Sequence, residues 1–243
     1  MIKVVNPNTT ESMTRSIEAS ARRAVGPGTG VIAVSPAMGP VSIESHYDEA
    51  LSVPGLLTEI TGGASADGYV IACFGDPGLD AAREVAPGPV VGIAEAAMRA
   101  ATYLGRSFTV VTTLARTTGR AQELVDRYGV RPYCRNVRAC DVPVLELETD
   151  PGARGRIVAE CRAALETDGA EVIVLGCAGM ADLCTALTAE LGVPVVDGVA
   201  AAVAAVEGLL RLGLGTSRSG EYAPPPSKPY QGALAHFGLA DPR

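Results

Sequence analysis

Basic side chains are outnumbered in this sequence, and they form no cluster. Lys and Arg number 20 against 27 Asp and Glu, which gives a formal net charge of −7. A surface that binds nucleic-acid phosphates needs clustered Lys and Arg, so this balance argues against a nucleic-acid partner. We therefore expect the partner to be a small molecule.

Long apolar segments are also lacking. The longest, GVAAAVAAVEGLL, is too short and too rich in Ala to span a bilayer, and Glu207 interrupts it. The start, MIKVVNPNTT, becomes polar after five residues and lacks the apolar stretch of a secretory signal. We expect a soluble, cytoplasmic protein that makes no membrane contact.

Metal-binding cysteine patterns are absent as well. The sequence holds six Cys, and their spacings include no CxxC pair or other zinc-type arrangement. Thiols of a cytoplasmic protein are generally kept reduced. The sequence therefore predicts free thiols and no metal site.

One motif occurs twice. YVIACFG at 69–75 and VIVLGCAG at 172–179 each carry an apolar run into a Cys, with a Gly two residues later. Each pattern is typical of a buried parallel strand followed by a helix. The chain also opens with IKVVNPNTT and reopens with FTVVTTLART at 108–117. We infer two copies of one βαβ-type half.

This duplication predicts an α/β fold of two pseudo-symmetric lobes. Each lobe is expected to be a mainly parallel four-stranded sheet flanked by helices, with the active site in the cleft between them. We assign residues 1–95 to the first lobe and 96–206 to the second, with about 207–243 packing back on the first. The proline-rich segment TSRSGEYAPPPSKPYQG is predicted to be an extended arm.

Further strands and helix ends follow from local patterns. Helices are predicted to stop at Gly105, Gly129 and Gly192, since glycine commonly follows the last helical residue. Besides the strands that lead to the two cysteines, the predicted strands include VIAVSPA, PVVGI, VPVLEL and PVVDG.

Cys73 and Cys177 occupy equivalent places in the two halves. Two thiols facing one cleft suit the removal of a proton from one face of a carbon and its return to the other. Each Cys precedes a predicted helix start, where free amides and the helix dipole favour a thiolate. The oxyanion that develops on the substrate would be held by backbone amides, those of Phe74, Gly75, Ala178 and Gly179.

Core packing is the alternative for any of these cysteines, because Cys is among the most buried residue types. It is the preferred interpretation for four of them, Cys134, Cys140, Cys161 and Cys184. For Cys73 and Cys177 the duplication favours chemistry, since two core thiols would not need matching glycine-rich exits.

Six short blocks stand in a recognisable order. They are NPNTT at 6–10, GPVSIES at 39–45, ACFGDPGL at 72–79, VVTT at 110–113, LGCAGM at 175–180 and PVVDGV at 194–199. Together they resemble the hydantoin racemases of the aspartate/glutamate racemase superfamily, over about residues 1–212. The resemblance implies cofactor-independent racemisation of 5-substituted hydantoins, with allantoin as one candidate, by Cys73 and Cys177. It also implies a homo-oligomer.

The remaining site residues lie in these blocks. Asn8 is predicted either to bond a ring amide of the substrate or to cap the first helix. Thr112 and Thr113 are predicted to reach polar ring atoms or to cap the helix after them. Ser42 and Ile43 are predicted to line the pocket.

Four further polar residues are assigned structural roles. His46 begins a helix near the cleft and His236 lies in the tail, and a lone histidine is usually structural or solvated. Asp76 is interpreted as a cap of the helix that follows it, and Asp197 as part of a turn.

Two other functions stay open. One is another reaction on the same scaffold, an amino-acid racemase or an arylmalonate-type decarboxylase. The decarboxylase needs one proton donor, and the racemase needs cationic contacts for a free carboxylate, whereas the cleft motifs contain no Arg or Lys. The other is a non-catalytic two-lobed sensor, which has no use for paired thiols.

Overall fold

The computed structural model describes residues 1–63 and 66–238. Within these ranges, strands and helices alternate along the chain and the strands form two four-stranded sheets. The strands are β1 (Ile2–Val5), β2 (Val31–Val34), β3 (Gly68–Ile71), β4 (Val90–Gly92), β5 (Phe108–Thr112), β6 (Cys134–Ala139), β7 (Val172–Gly176) and β8 (Val195–Val196). The helices are α1 (Glu11–Ala24), α2 (His46–Thr61), α3 (Leu79–Val85), α4 (Ile93–Leu104), α5 (Thr118–Arg127), α6 (Ala153–Glu166), α7 (Cys184–Leu191) and α8 (Gly198–Arg211).

The two sheets have the same topology. The strand order is β2-β1-β3-β4 in the first and β6-β5-β7-β8 in the second. All of these pairs are parallel. Strands β3 and β7 therefore hold equivalent places, next to the first strand of their own sheet. The predicted α/β fold of two pseudo-symmetric, four-stranded lobes is confirmed.

The central strands are buried on both faces. Every residue of β1, β3, β5 and β7 is buried, and these strands are almost entirely apolar rather than alternating, as expected where helices cover both sides of a parallel sheet. Lys3 of β1 is the charged exception. Its Nζ donates to the carbonyls of Glu59 (2.9 Å) and Gly62 (3.0 Å), so this ammonium caps the C-terminal end of α2.

One predicted strand is wrong. VPVLEL was expected to pair in the second sheet, but Val144–Glu146 forms a 3-10 helix and the strand is the preceding segment, Cys134–Ala139. Strand β6 lies at the edge and carries Arg135, Asn136 and Arg138, so no apolar pattern marks it. Pro143 lacks the amide that a ladder requires.

Glycine follows the helices where the sequence predicted. Helix α4 ends at Leu104 before Gly105, and α7 ends at Leu191 before Gly192. Gly192 has a φ of 70°, a left-handed conformation that favours glycine. These stops fix where each chain segment turns back toward the next strand.

The last helix returns to the first sheet. Val199, Val203 and Val206 of α8 share an apolar cluster with Ile2 and Val4 of β1. Beyond α8 the chain crosses α3, where the Tyr222 hydroxyl donates to Asp80 (3.1 Å). The lobe boundaries, 1–95 and 96–206, stay a prediction. No helix in the described ranges combines the length and apolar character needed to cross a membrane.

Candidate active site

A solvent-connected cavity lies where the carboxyl ends of the central strands meet. Its lining includes residues that follow β1, β3, β5 and β7, among them Asn8, Cys73, Thr113 and Cys177. In parallel α/β sheets this edge is where ligands bind. Both sheets therefore contribute to one site.

The structure brings Cys73 and Cys177 to this single cavity. Both residues are half-buried and neither forms a disulfide. They follow β3 and β7, so the equivalence of the two strands makes the two thiols equivalent. The charge that Cys177 would carry raises the pKa of Cys73, so the two groups titrate as a coupled pair.

The expectation that each Cys precedes a helix start that favours its thiolate is wrong for Cys73, and neither thiol has its pKa lowered below the ordinary value. Burial raises the pKa of Cys73 to about 12 and that of Cys177 to about 11. Hydrogen bonds from the backbone at Gly75 and Gly179 oppose this rise without cancelling it. Only Cys177 directly precedes a helical turn, because α3 begins no earlier than Leu79. Desolvation therefore outweighs the local dipoles in the resting site.

The predicted polar residues are placed as follows. Asn8 lines the cavity but does not cap α1, whose N-cap is Thr10; its Oδ1 accepts from the Thr10 amide (2.9 Å). Thr112 and Thr113 also line the cavity, and the Thr112 hydroxyl donates to the carbonyl of Gly176 (3.2 Å). Neither threonine caps α5. The Thr112 side chain thus links the ends of the adjacent strands β5 and β7, whereas the Asn8 side chain orders the loop between β1 and α1.

The other predicted residues divide into two groups. Most line the cavity, and these are Ile43, Phe74, Gly75 and Ala178. Ser42 and Gly179 do not line it: the Ser42 hydroxyl donates to Glu44 (3.3 Å), and Gly179 instead supplies the backbone bond to Cys177.

The structure adds charged residues that sequence reasoning missed. Arg116, Arg120 and Glu49 line the cavity, so the absence of Arg and Lys from the cleft motifs does not extend to the cavity itself. His46, which was expected near the cleft in a structural role, also lines it. Both arginines follow the end of β5, and the other two residues open α2. Their position just after a predicted strand or an N-cap was the pattern that could have identified them.

Arg120, which belongs to the second half of the chain, bonds the first half at two points. Its Nη2 lies 2.7 Å from Glu49 Oε1 and 2.9 Å from the carbonyl oxygen of Gly75. Burial raises the pKa of Glu49, and the Arg120 guanidinium works against that rise. No described residue accepts a hydrogen bond from the buried Nε of Arg120, and such a group costs about 1–3 kcal/mol unless a ligand or water satisfies it.

A second contact between the two halves joins Glu44, in the loop before α2, to Val144 of the 3-10 helix after β6. Glu44 Oε1 accepts from the Val144 amide (2.7 Å), in the segment that was expected to be a strand. Val144 lines the cavity as a result. The Glu44 charge raises the pKa of Cys177. Glu44 and Glu49 thus each lie near one of the two thiols.

Asp76 has a different role from the one predicted. It does not cap the helix that follows it, because its carboxylate accepts from the amides of Ala94 (3.1 Å) and Glu95 (2.9 Å) at the start of α4. The hydroxyl of Tyr128 also donates to it (2.6 Å). A Cβ at Gly92 would lie 2.2 Å from Asp76 Cγ, so only glycine permits this approach.

Replacing Asp76 with Ala is expected to lower the free energy of unfolding by about 3 kcal/mol, because three donors, two of them in buried hydrogen bonds, lose their acceptor. Urea unfolding at pH 7 measures this change. Asp76→Asn is the matched control, since it keeps an acceptor and should cost less. A loss below about 1 kcal/mol for Asp76→Ala would contradict the assigned contacts.

Asp76 also makes the stability of the wild-type protein depend on pH. Burial raises the pKa of Asp76 to about 6, so the folded protein holds this proton more tightly than the unfolded chain does. The additional stability that comes from proton binding at Asp76 is therefore present below about pH 4 and lost as pH rises to about 6, whereas the hydrogen bonds to its carboxylate remain at pH 7. Asp76→Asn should remove that part of the stability profile.

The remaining candidates lie outside the cavity. His236 is exposed and packs on Phe237. Asp197 is the N-cap of α8 rather than a turn residue, accepting from the Val199 amide (2.8 Å). Three cysteines are buried in one apolar cluster, namely Cys140, Cys161 and Cys184, and Cys134 begins β6. In the part of the chain that the structure describes, no three His, Cys, Asp or Glu side chains are grouped so as to hold a metal ion.

Comparison with known proteins gives concordant results. The hydantoin racemase of Pseudomonas sp. (strain NS671) is 50% identical, over 98% of this chain and 96% of the relative. The hydantoin racemase of Rhizobium meliloti is 51% identical, over 92% and 94%. Among solved structures, the allantoin racemase from Klebsiella pneumoniae matches with a TM-score of 0.95 at 50% identity, over 98% of each chain.

The family itself is matched over most of the chain. The sequence model described as Asp/Glu/Hydantoin racemase aligns with residues 2–206, which include both cavity cysteines. The resemblance carried by the six sequence blocks is thereby confirmed. By sequence and by fold, the chain belongs to the Asp/Glu/Hydantoin racemase family.

Proposed function

We propose that this protein racemises 5-substituted hydantoins, allantoin among them, by two-base proton transfer at C5 without a cofactor. The observation that carries the proposal is that Cys73 and Cys177 follow equivalent strands and line one cavity. Relatives at 50% identity that are named hydantoin racemase or allantoin racemase support the substrate class.

In the proposed reaction one cysteine acts as a thiolate and the other as a thiol. The thiolate removes the C5 proton, and the electron pair of the broken C–H bond moves into the adjacent C4 carbonyl to form an enolate. The thiol on the opposite face then protonates C5, and the carbonyl is restored. The cysteines end with exchanged protonation states, so the next turnover runs in the opposite sense.

Backbone amides supply the oxyanion stabilisation in this scheme. The backbone at Gly75 and Gly179 bonds the two sulfurs, which favours the thiolate form of each. We assign the enolate oxygen to the amides of Phe74 and Ala178, one residue nearer each cysteine and both in the cavity lining. In each half, the turn after the cysteine thus stabilises both the thiolate and the negative charge that develops on the enolate oxygen.

The ion pair in the cavity bears on the amino-acid racemase alternative. Arg120 already pairs with Glu49 at 2.7 Å, so its charge is offset before any substrate enters. A free amino acid would bring a carboxylate that must compete with Glu49. A neutral hydantoin ring needs no such exchange at Arg120, which favours the hydantoin substrate. Arg116 also lines the cavity and forms no ion pair within the described residues, so it is the residue through which an amino-acid carboxylate would have to bind.

Incubating one enantiomer of a 5-alkylhydantoin with the protein in deuterated buffer is expected to erase optical rotation and to place deuterium at C5. The reason is that the proton returned to C5 comes from a thiol in exchange with solvent. Polarimetry and proton NMR follow both events in one sample. 5-Ureidohydantoin, which is allantoin, tests the polar substituent in parallel.

A variant with both cavity cysteines changed to Ser gives the background, since hydantoins also racemise slowly in solution. Activity equal to that background on both substrates would overturn the proposal. Binding without exchange would favour a sensor, and carbon dioxide release from an arylmalonate would favour a decarboxylase.

A further inference from the structure

The ion pair between Arg120 and Glu49 connects the two halves of the molecule beside Cys73. Arg120 belongs to α5, which follows the second sheet's β5, and Glu49 belongs to α2 of the first half. Nη2 of Arg120 bonds both the Glu49 carboxylate and the carbonyl of Gly75, at 2.7 and 2.9 Å. One guanidinium therefore holds a neighbouring anion and the turn that carries the thiol.

Both members of the ion pair contact Gly75 in the turn after Cys73. A Cβ at Gly75 would lie 3.5 Å from Glu49 Cδ, so the carboxylate packs directly on this residue. The backbone at Gly75 in turn lowers the pKa of the Cys73 thiol, against the larger effect of burial. Movement of the ion pair would therefore move the Gly75 backbone and change how strongly that backbone stabilises a thiolate at Cys73.

We propose that Arg120 and Glu49 are positioning residues that set the reactivity of Cys73 with opposite signs and leave Cys177 unaffected. Calling Cys73 a catalytic base rests on the proposed function. The effect of the ion pair on the thiol is independent of the proposed function, because this effect follows from contacts within the protein.

The charges around each thiol account for this selectivity. Three acidic groups face Cys73 and oppose its ionisation, namely Cys177, Glu49 and Asp76. Arg120 offsets the Glu49 charge at 2.7 Å, and His46 lies near the same carboxylate. The groups that oppose ionisation of Cys177 are Cys140 and Glu44, so neither member of the ion pair is among them.

Two substitutions break the same ion pair and are expected to act oppositely on Cys73. The rates are measured at pH 9, so that Glu49 stays a carboxylate after it loses its partner. Arg120→Met then leaves the Glu49 charge unbalanced, so alkylation of Cys73 by iodoacetamide should slow about tenfold, the effect of one pKa unit on the thiolate fraction. Glu49→Gln removes the opposing anion with no change of shape, so Cys73 should react several-fold faster. Peptide mass spectrometry measures the rate at each cysteine in one sample, and Cys177 should change less than about twofold in both variants.

Arg120→Lys is the conservative control, since it keeps the positive charge and should retain most of the wild-type rate at Cys73. The fully buried Cys161 reports folding in the same digest, and Glu49→Gln alone still tests the sign if Arg120→Met unfolds. A merely structural ion pair predicts changes of the same sign in both variants. That result, or equal changes at Cys73 and Cys177, overturns the proposal, whether or not the protein racemises hydantoins.

Discussion

Replacing either cavity cysteine with serine is expected to lower kcat/KM for racemisation by about 10³-fold or more, because a hydroxyl is a far weaker acid and base partner at neutral pH. Cys73→Ser and Cys177→Ser should suffer alike, since inversion needs one group on each face. Polarimetry with a single enantiomer of a 5-alkylhydantoin measures the loss.

The two variants are also expected to differ in a mirror-image way. Cys73→Ser keeps the Cys177 base, which can still remove the C5 proton from one enantiomer and return a deuteron to the same face. Cys177→Ser should do this with the opposite enantiomer. Proton NMR in deuterated buffer therefore distinguishes a two-base site from a single shared base, which would exchange the same enantiomer in both variants.

Cys134→Ser is the matched control for these substitutions. Cys134 is half-buried like the two cavity cysteines, but it begins the edge strand β6 and does not line the cavity. It should keep full activity. Full activity in Cys73→Ser or Cys177→Ser would contradict the two-base assignment.

The features that could be predicted from the sequence are those that depend on short stretches of consecutive residues. The apolar runs before Cys73 and Cys177 identify buried parallel strands, and their repetition along the chain predicts two similar sheets. Because parallel strands present their carboxyl ends at one edge, each thiol could be assigned to the ligand-binding edge of its own sheet, and the duplication suggested that the two edges face each other. Strand β6 was missed because an edge strand is exposed and needs no apolar pattern.

The features that were not predicted depend on which distant surfaces face each other. Arg120 and Glu49 come from helices of different halves, and nothing local to either residue shows that they meet at 2.7 Å. The acidity of the cysteines was misjudged for the same reason. A helix start is visible in the sequence, whereas the burial that outweighs it is created only when both halves close over the site.

That burial leads to the second large effect, which is on pH dependence. With pKa values raised to about 12 for Cys73 and about 11 for Cys177, only about one site in 10⁴ carries a thiolate at pH 7. The active form has one thiolate and one thiol, so kcat/KM is expected to rise about tenfold per pH unit, or about 1,000-fold from pH 6 to pH 9. A falling limb would need both thiols ionised, which lies above this range.

The choice of substrate and background decides whether that profile reports on the cysteines. A 3-methyl-5-alkylhydantoin lacks the acidic N3 proton, so its own ionisation cannot shape the curve. Subtracting the rate of the double Cys→Ser variant removes the hydroxide-dependent racemisation that also grows with pH. Because kcat/KM reports the free enzyme, a plateau reached near pH 7 would mean that the amides at Gly75 and Gly179 lower the thiol pKa by several units before substrate binds, and that desolvation does not control the resting site. A continuous rise to pH 9 would mean that the enzyme works from a rare thiolate, and its rate would then depend on every charge that faces the two sulfurs.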